Sequence, residues 1–111
     1  MTLTATELAA QIRAYNPAAD TDTVEKAYAF AKVKHEGQLR SSGEPYYTHP
    51  VEVAEILVDM QMDTASIETA ILHDTLEDTQ TSFEELEKEF GKEVATLVTG
   101  VTKLTKIESQ T

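Results

Sequence analysis

The chain has 111 residues, no cysteine, and 20 acidic against 9 basic residues, for a formal net charge of −11. That length holds one domain or part of one, and the absence of cysteine excludes disulfides and thiolate metal sites. A charge this negative argues against nucleic-acid polymers and anionic membranes as partners. The most apolar stretch, Val51–Met60, is interrupted by Glu52, Glu55 and Asp59, so no bilayer span is expected. No basic-then-apolar leader opens the chain, and the expected location is cytoplasmic.

The pattern is helical from end to end. Thr4 and Glu7 have the spacing of a capping box, followed by Leu8, Ile12 and Tyr15 on one face, and Asn16-Pro17 stops that helix. Asp22 and Glu25 suggest a second start. Val24, Ala27, Tyr28 and Ala31 then form its buried face, extended by His35, and Gly37 is a C-terminal stop. Gly37 to Thr48 carries two glycines, two serines and a proline and reads as a loop, with a short extended piece expected at Tyr46-Tyr47. Pro50 suits the first position of a third helix, which makes His49 its N-cap. In that helix Val51, Ala54, Leu57 and Val58 share a face. Val53, Ile56 and Met60 lie off it, which suggests burial on more than one side. Asp63 or Thr64 starts a fourth helix. Ser82 and Glu85 cap a short fifth that ends at Gly91, and a sixth runs through Val94, Leu97, Val98, Val101 and Leu104, with Gly100 its weak point. The expected fold is a single all-α unit, a bundle of about six helices.

Lys26, Lys32, Lys34 and Arg40 fall close together in an otherwise acidic chain, with His35 among them. They fit either a solvated helix face or a positive rim for a small phosphorylated ligand.

The fourth helix carries the most unusual segment, His73-Asp74-Thr75-Leu76-Glu77-Asp78. On one continuous helix, positions 73, 74, 77 and 78 share a face that continues the apolar stripe of Ile67, Ala70 and Ile71. Like charges four residues apart oppose helix formation, and acids near a helix C-terminus oppose its dipole. A divalent cation resolves both conflicts, because it neutralises carboxylates and takes an imidazole as ligand. His49 is the second imidazole available to such a site. The plain alternative has His49 as a cap and Glu77 and Asp78 as solvated helix-end residues.

Three ordered segments carry a resemblance. They are Ala31–Pro50, containing His35-Glu36-Gly37-Gln38-Leu39-Arg40-Ser41-Ser42-Gly43-Glu44-Pro45-Tyr46 and Thr48-His49-Pro50; then Ala70–Thr79, around His73-Asp74 and Glu77-Asp78; and then Phe90-Gly91 with Val98–Leu104. Over roughly residues 22–105 the chain resembles the N-terminal hydrolase domain of the RelA/SpoT homologues, which is of the HD type. Members of that family make and degrade the alarmone (p)ppGpp. The resemblance implies an HD-like helical bundle and manganese-dependent removal of the 3′-pyrophosphate. It further implies His49, His73 and Asp74 as metal ligands, and Glu77 and Asp78 as the catalytic pair that orients or activates water. Arg40, Ser41, Ser42 and Tyr46 are the implied nucleotide-binding loop. The intact His-Asp and Glu-Asp pairs resemble the hydrolysis-competent branch.

The family domain continues beyond Leu104 and supplies a further aspartate ligand. The resemblance therefore implies that residues 1–111 are a partial HD-type domain, with an open metal site and apolar faces that favour self-association. Two other readings stand beside it: a catalytically inert helical module that binds a partner or nucleotide, and an HD-type phosphohydrolase of another nucleotide. The Arg40–Tyr46 loop argues against the latter.

Overall fold

The computed structural model describes the backbone of residues 2–110 and the side chains of residues 2–104. Among these the fold is all-α, with helices α1 (Ala5–Tyr15), α2 (Thr21–Lys34), α3 (Thr48–Asp59), α4 (Thr64–Leu72), α5 (Thr75–Asp78), α6 (Phe83–Phe90) and α7 (Lys92–Gln110). The only extended pairing among the described residues is an isolated antiparallel bridge between Leu39 and Pro45.

Short polar signals set the ends. Thr4 accepts from the Glu7 amide while the Glu7 carboxylate accepts from the Thr4 amide, so the box that starts α1 is complete. Asp63 caps α4 through the Ser66 amide, and Ser82 caps α6 through the Glu85 amide. Gly91 ends α6 at φ +92, a conformation that favours glycine. Gly100 does not interrupt α7.

The bundle is organised around α4, which packs against α2, α3 and α7. Every residue from Ile67 to Leu72 is buried, including the charged Glu68. Full burial of Ile67, Ile71 and Leu72 contributes about 1.5–3 kcal/mol each against leaving them in water. Leu8 and Ile12 from α1, Val24, Ala27 and Ala31 from α2, Val51 and Ala54 from α3, and Val98 from α7 complete the core. The face predicted for α2 is the buried one, and His35 does extend it.

Five expectations are corrected. The fourth helix is not continuous through the acidic cluster. It stops at Leu72 and restarts at Thr75 as a single turn, so the six expected helices become six plus a fragment. The cause is local: the His73 ring nitrogen Nδ1 donates to the Ala70 carbonyl at 2.6 Å, and the Thr75 hydroxyl donates to the Leu72 carbonyl at 2.7 Å. Side chains thus satisfy carbonyls at the end of α4. His49 is not an N-cap, because α3 begins at Thr48, two residues before the expected Pro50, with Tyr47 in the cap position. Asp20 rather than Asp22 caps α2, and the Asp22 amide donates to it. Burial on several sides of α3 is also wrong for two residues: Ile56 and Met60 are 60% and 63% exposed. The extended piece in the loop falls at Leu39 and Pro45, while Tyr46 and Tyr47 form a turn into α3.

Candidate metal centre

His49 stands in the first turn of α3, and His73 and Asp74 fill the break between α4 and α5. Each offers a ligand atom, and the three atoms lie within 4.8 Å of one another. The two imidazole centroids are 6.1 Å apart. Packing of α3 on α4 brings together residues separated by more than twenty positions in sequence.

The hydrogen bonds define how these groups are presented. A carbonyl can only accept, so the contact with Ala70 requires a proton on His73 Nδ1. In the neutral ring this leaves the Nε2 lone pair 3.2 Å from Asp74 Oδ1. A lone pair and a carboxylate oxygen at that distance repel unless a proton or a cation lies between them. The other Asp74 oxygen, Oδ2, accepts from the Tyr46 hydroxyl at 2.8 Å. Burial foremost, then that hydrogen bond and the Asp74 charge, push the Tyr46 phenol well above its ordinary pKa, so it stays a donor. Two imidazoles and a carboxylate, one ring with its tautomer fixed by a carbonyl and the carboxylate oriented by a phenol, form a donor set that fits a divalent cation. His73 and Asp74 are each about one-fifth exposed, so the site is open to solvent.

Glu77 and Asp78 lie on α5, both exposed. Asp78 closes the turn by donating its amide to the Asp74 carbonyl at 2.9 Å. A polar groove of about 560 Å³ runs past Glu77 and Asp78 and is also lined by Lys34, Gln38 and Thr79. On the far side of His73 is an apolar groove of about 350 Å³, walled by Val53 and Leu57 of α3, Ala70 of α4, and Leu97 and Val101 of α7.

The loop before α3 is a tight hairpin. Arg40 donates its amide to the Glu44 carbonyl and Gly43 donates to the Arg40 carbonyl, both at 2.8 Å. Gly43 has φ +93, which explains the glycine. Ser41 and Ser42 are at the exposed tip, with the Ser42 hydroxyl on Glu44. The Arg40 side chain lies back on α3, where one terminal nitrogen reaches Glu52 at 3.0 Å and Thr48 at 3.2 Å. Tyr46 joins this loop to the metal cluster, its ring 4.8 Å from that of His35 and 5.9 Å from that of His49.

The four cations do not form a free positive rim. Lys26 pairs with Glu89, Lys34 with Glu85 and Arg40 with Glu52, while the Lys32 ammonium lies over the Tyr47 ring. Sequence reasoning missed two further contacts: Tyr46 to Asp74, and the Gln38 amide to the Asp78 carbonyl at 2.8 Å. They join positions 28 and 40 apart, beyond the reach of any local pattern.

An all-α fold that gathers a consecutive His-Asp pair and a histidine from the preceding helix at the break of a central helix has the features of an HD domain. The HD domain family matches residues 27–111, and the chain belongs to it. RelA/SpoT proteins are among its relatives. It is 55% identical over 95 residues to a GTP pyrophosphokinase of Myxococcus xanthus, covering 86% of this chain and 12% of that protein. It is 48% identical over 97 residues to the bifunctional (p)ppGpp synthase/hydrolase SpoT of Escherichia coli, covering 87% and 14%. A solved structure of a metazoan ortholog of SpoT that hydrolyzes ppGpp superposes with a TM-score of 0.68 at 37% identity, covering 72% of this chain and 47% of that one. The chain thus spans only about one-eighth of the length of these curated relatives. Among the described residues, no helix is long and apolar enough to cross a membrane.

Proposed function

We propose that this chain is a (p)ppGpp 3′-pyrophosphohydrolase domain, of the kind carried by bifunctional synthetase/hydrolases of the stringent response, acting in the cytoplasm on a guanine nucleotide alarmone. The supporting observation is the convergence of His49, His73 and Asp74 in a chain about half identical to SpoT. The reaction adds water across the 3′ phosphoester. The water oxygen bonds to phosphorus, the ester bond to the 3′ oxygen breaks, that oxygen takes a proton, and pyrophosphate leaves.

In this reading His49, His73 and Asp74 hold Mn²⁺, with any further ligand outside the described residues. When bound, the ion supplies Lewis acidity to a phosphoryl oxygen and acidifies water. Tyr46 and the Ala70 carbonyl keep Asp74 and His73 oriented. Glu77 and Asp78, exposed one turn later, take the proton from the attacking water. Arg40, with Ser41, Ser42 and Tyr46 on the same loop, receives the nucleotide through guanidinium–phosphate pairing or stacking on the base. The apolar groove beside His73 is a surface for self-association, which sedimentation of the purified chain at rising concentration would detect.

The experiment is a nucleotide panel. The natural full-length protein is incubated with Mn²⁺ and ppGpp, pppGpp, GDP, GTP or ATP, and released pyrophosphate is measured. Release from the two alarmones alone supports the reading. Release from none, or preference for an ordinary nucleotide, overturns it.

A further inference from the structure

Asp78 ends a helix of four residues, too short to hold itself together in water. Something outside α5 must fix its last residue, and the Gln38 side chain does so by donating to the Asp78 backbone carbonyl at 2.8 Å. That assignment fixes the rest of the chain of contacts. With the Gln38 NH₂ on a carbonyl, its amide oxygen faces His35 Nδ1 at 3.0 Å, which therefore carries the proton. His35 is the C-cap of α2 and only 2% exposed, and its other nitrogen, Nε2, has no hydrogen-bond partner. Gly37, at φ +85, turns the backbone so that Gln38 comes back under α5. The His35 ring also packs 4.8 Å from Tyr46, whose hydroxyl holds Asp74. One buried imidazole thus stands behind both halves of the site, through Gln38 to Asp78 and through Tyr46 to Asp74.

We propose that Gln38 is the positioning residue for Asp78, and that His35 positions Gln38 and the Tyr46 ring together. Its catalytic consequence rests on the reading of Asp78 as a water-handling carboxylate. An imidazole bonded through Nδ1–H and otherwise enclosed suits such a strut: it locks the Gln38 amide in one orientation. An aliphatic residue of that size would leave the amide oxygen without its donor. The Asp78 amide to Asp74 and the Thr79 amide and hydroxyl to Thr75 close α5 on its own turn, and the Thr75 hydroxyl ties its start to Leu72, so Gln38 is the tie that reaches its end from α2 and the loop.

The test uses Gln38→Ala and Gln38→Glu in the natural full-length protein; Gln38 lies near the surface, so both variants keep the core. Without metal or nucleotide, amide hydrogen exchange at Asp78 and Thr79 should quicken roughly ten-fold in both variants, with Ile71 and Leu72 unchanged. Equal rates at Asp78 and Thr79 in wild type and variants overturn the proposal. The ¹⁵N resonances of His35 should report the Nδ1–H tautomer in wild type and Gln38→Glu; an Nε2–H tautomer in wild type overturns it too. In steady-state hydrolysis of ppGpp with Mn²⁺, kcat should fall about ten-fold or more while KM and metal affinity hold. Unchanged kcat refutes the positioning role. A wild-type protein that hydrolyses no alarmone defeats the proposed function instead, and the exchange and tautomer measurements still decide whether Gln38 holds Asp78.

Discussion

The His49–His73–Asp74 cluster and the Arg40–Glu44 hairpin meet at Tyr46, yet they are built in opposite ways. In the first, the His73 ring is tied to a backbone carbonyl and Asp74 to a phenol, both partners short and partly buried. In the second, the serines are exposed at a tip and Arg40 makes a half-exposed ion pair with α3. The difference teaches where ordering happens. Metal ligands set two to three ångströms from an ion gain from orientation settled during folding. A loop that must admit and release a polyanion keeps its donors in water, where desolvation is slight.

Removing a member of the ordered half should therefore do far more than loosening the other. His73→Ala is expected to lose manganese retention, measured by calorimetry, by more than the roughly 100-fold that marks loss of an outer partner. Asp78→Ala should abolish detectable hydrolysis, a loss of about 10²–10⁴-fold for a proton acceptor, while leaving metal affinity near wild type. Normal activity in Asp78→Ala would sink the assignment of that carboxylate.

Tyr46→Phe probes the seam between the two regions. It deletes one oxygen and leaves the ring against His35 and His49. If Tyr46 serves the ordered half, metal affinity falls about ten-fold or more and KM for the nucleotide stays put. A change in KM alone would reassign Tyr46 to the loop.

Much of the fold was legible in the sequence because its signals are local. The Thr4–Glu7 box, the Asp63 and Ser82 caps and the α2 face are read within one or two helical turns. The break at His73-Asp74 was not, since continuous periodicity cannot show that side chains of His73 and Thr75 will take the Ala70 and Leu72 carbonyls. Nor was the burial of Glu68, which sits in phase with α4's apolar residues but takes its hydroxyl partner, Thr23, from 45 positions away. The candidate metal ligands were picked out by resemblance as much as by charge pattern; their gathering depends on α3 packing against α4.

Glu68 extends the comparison into the core, where an ionisable group has neither metal nor cation beside it. Burial raises its pKa above 4.5, Asp20 and Glu93 add to the rise, and the Thr23 hydrogen bond opposes it. A carboxyl with a raised folded pKa favours the folded state below its unfolded pKa and loses that contribution as pH climbs through the folded value. Glu68→Gln should remove the slope. Its stability relative to wild type, from urea melts, should rise from pH 4.5 upward and level off above the folded pKa. A pH-independent difference would mean that Glu68 titrates normally.

The gentlest change falls on the hairpin. Arg40 binds Glu52 and Thr48 through one terminal nitrogen, so the rest of its guanidinium can face a ligand while the pair persists. Glu52 then acts as a brace that restricts where Arg40 points. Because the pair is partly exposed, it is worth only about 0.2–1 kcal/mol. Glu52→Gln should therefore raise KM for ppGpp by no more than about five-fold, with kcat unchanged. Salt discriminates the cause, since a brace made of an exposed ion pair weakens with screening. The wild-type advantage over Glu52→Gln should shrink as ionic strength rises. If the variant instead binds nucleotide more tightly, Glu52 competes with the ligand for Arg40, and the hairpin is a latch that substrate must open rather than a donor held ready for it.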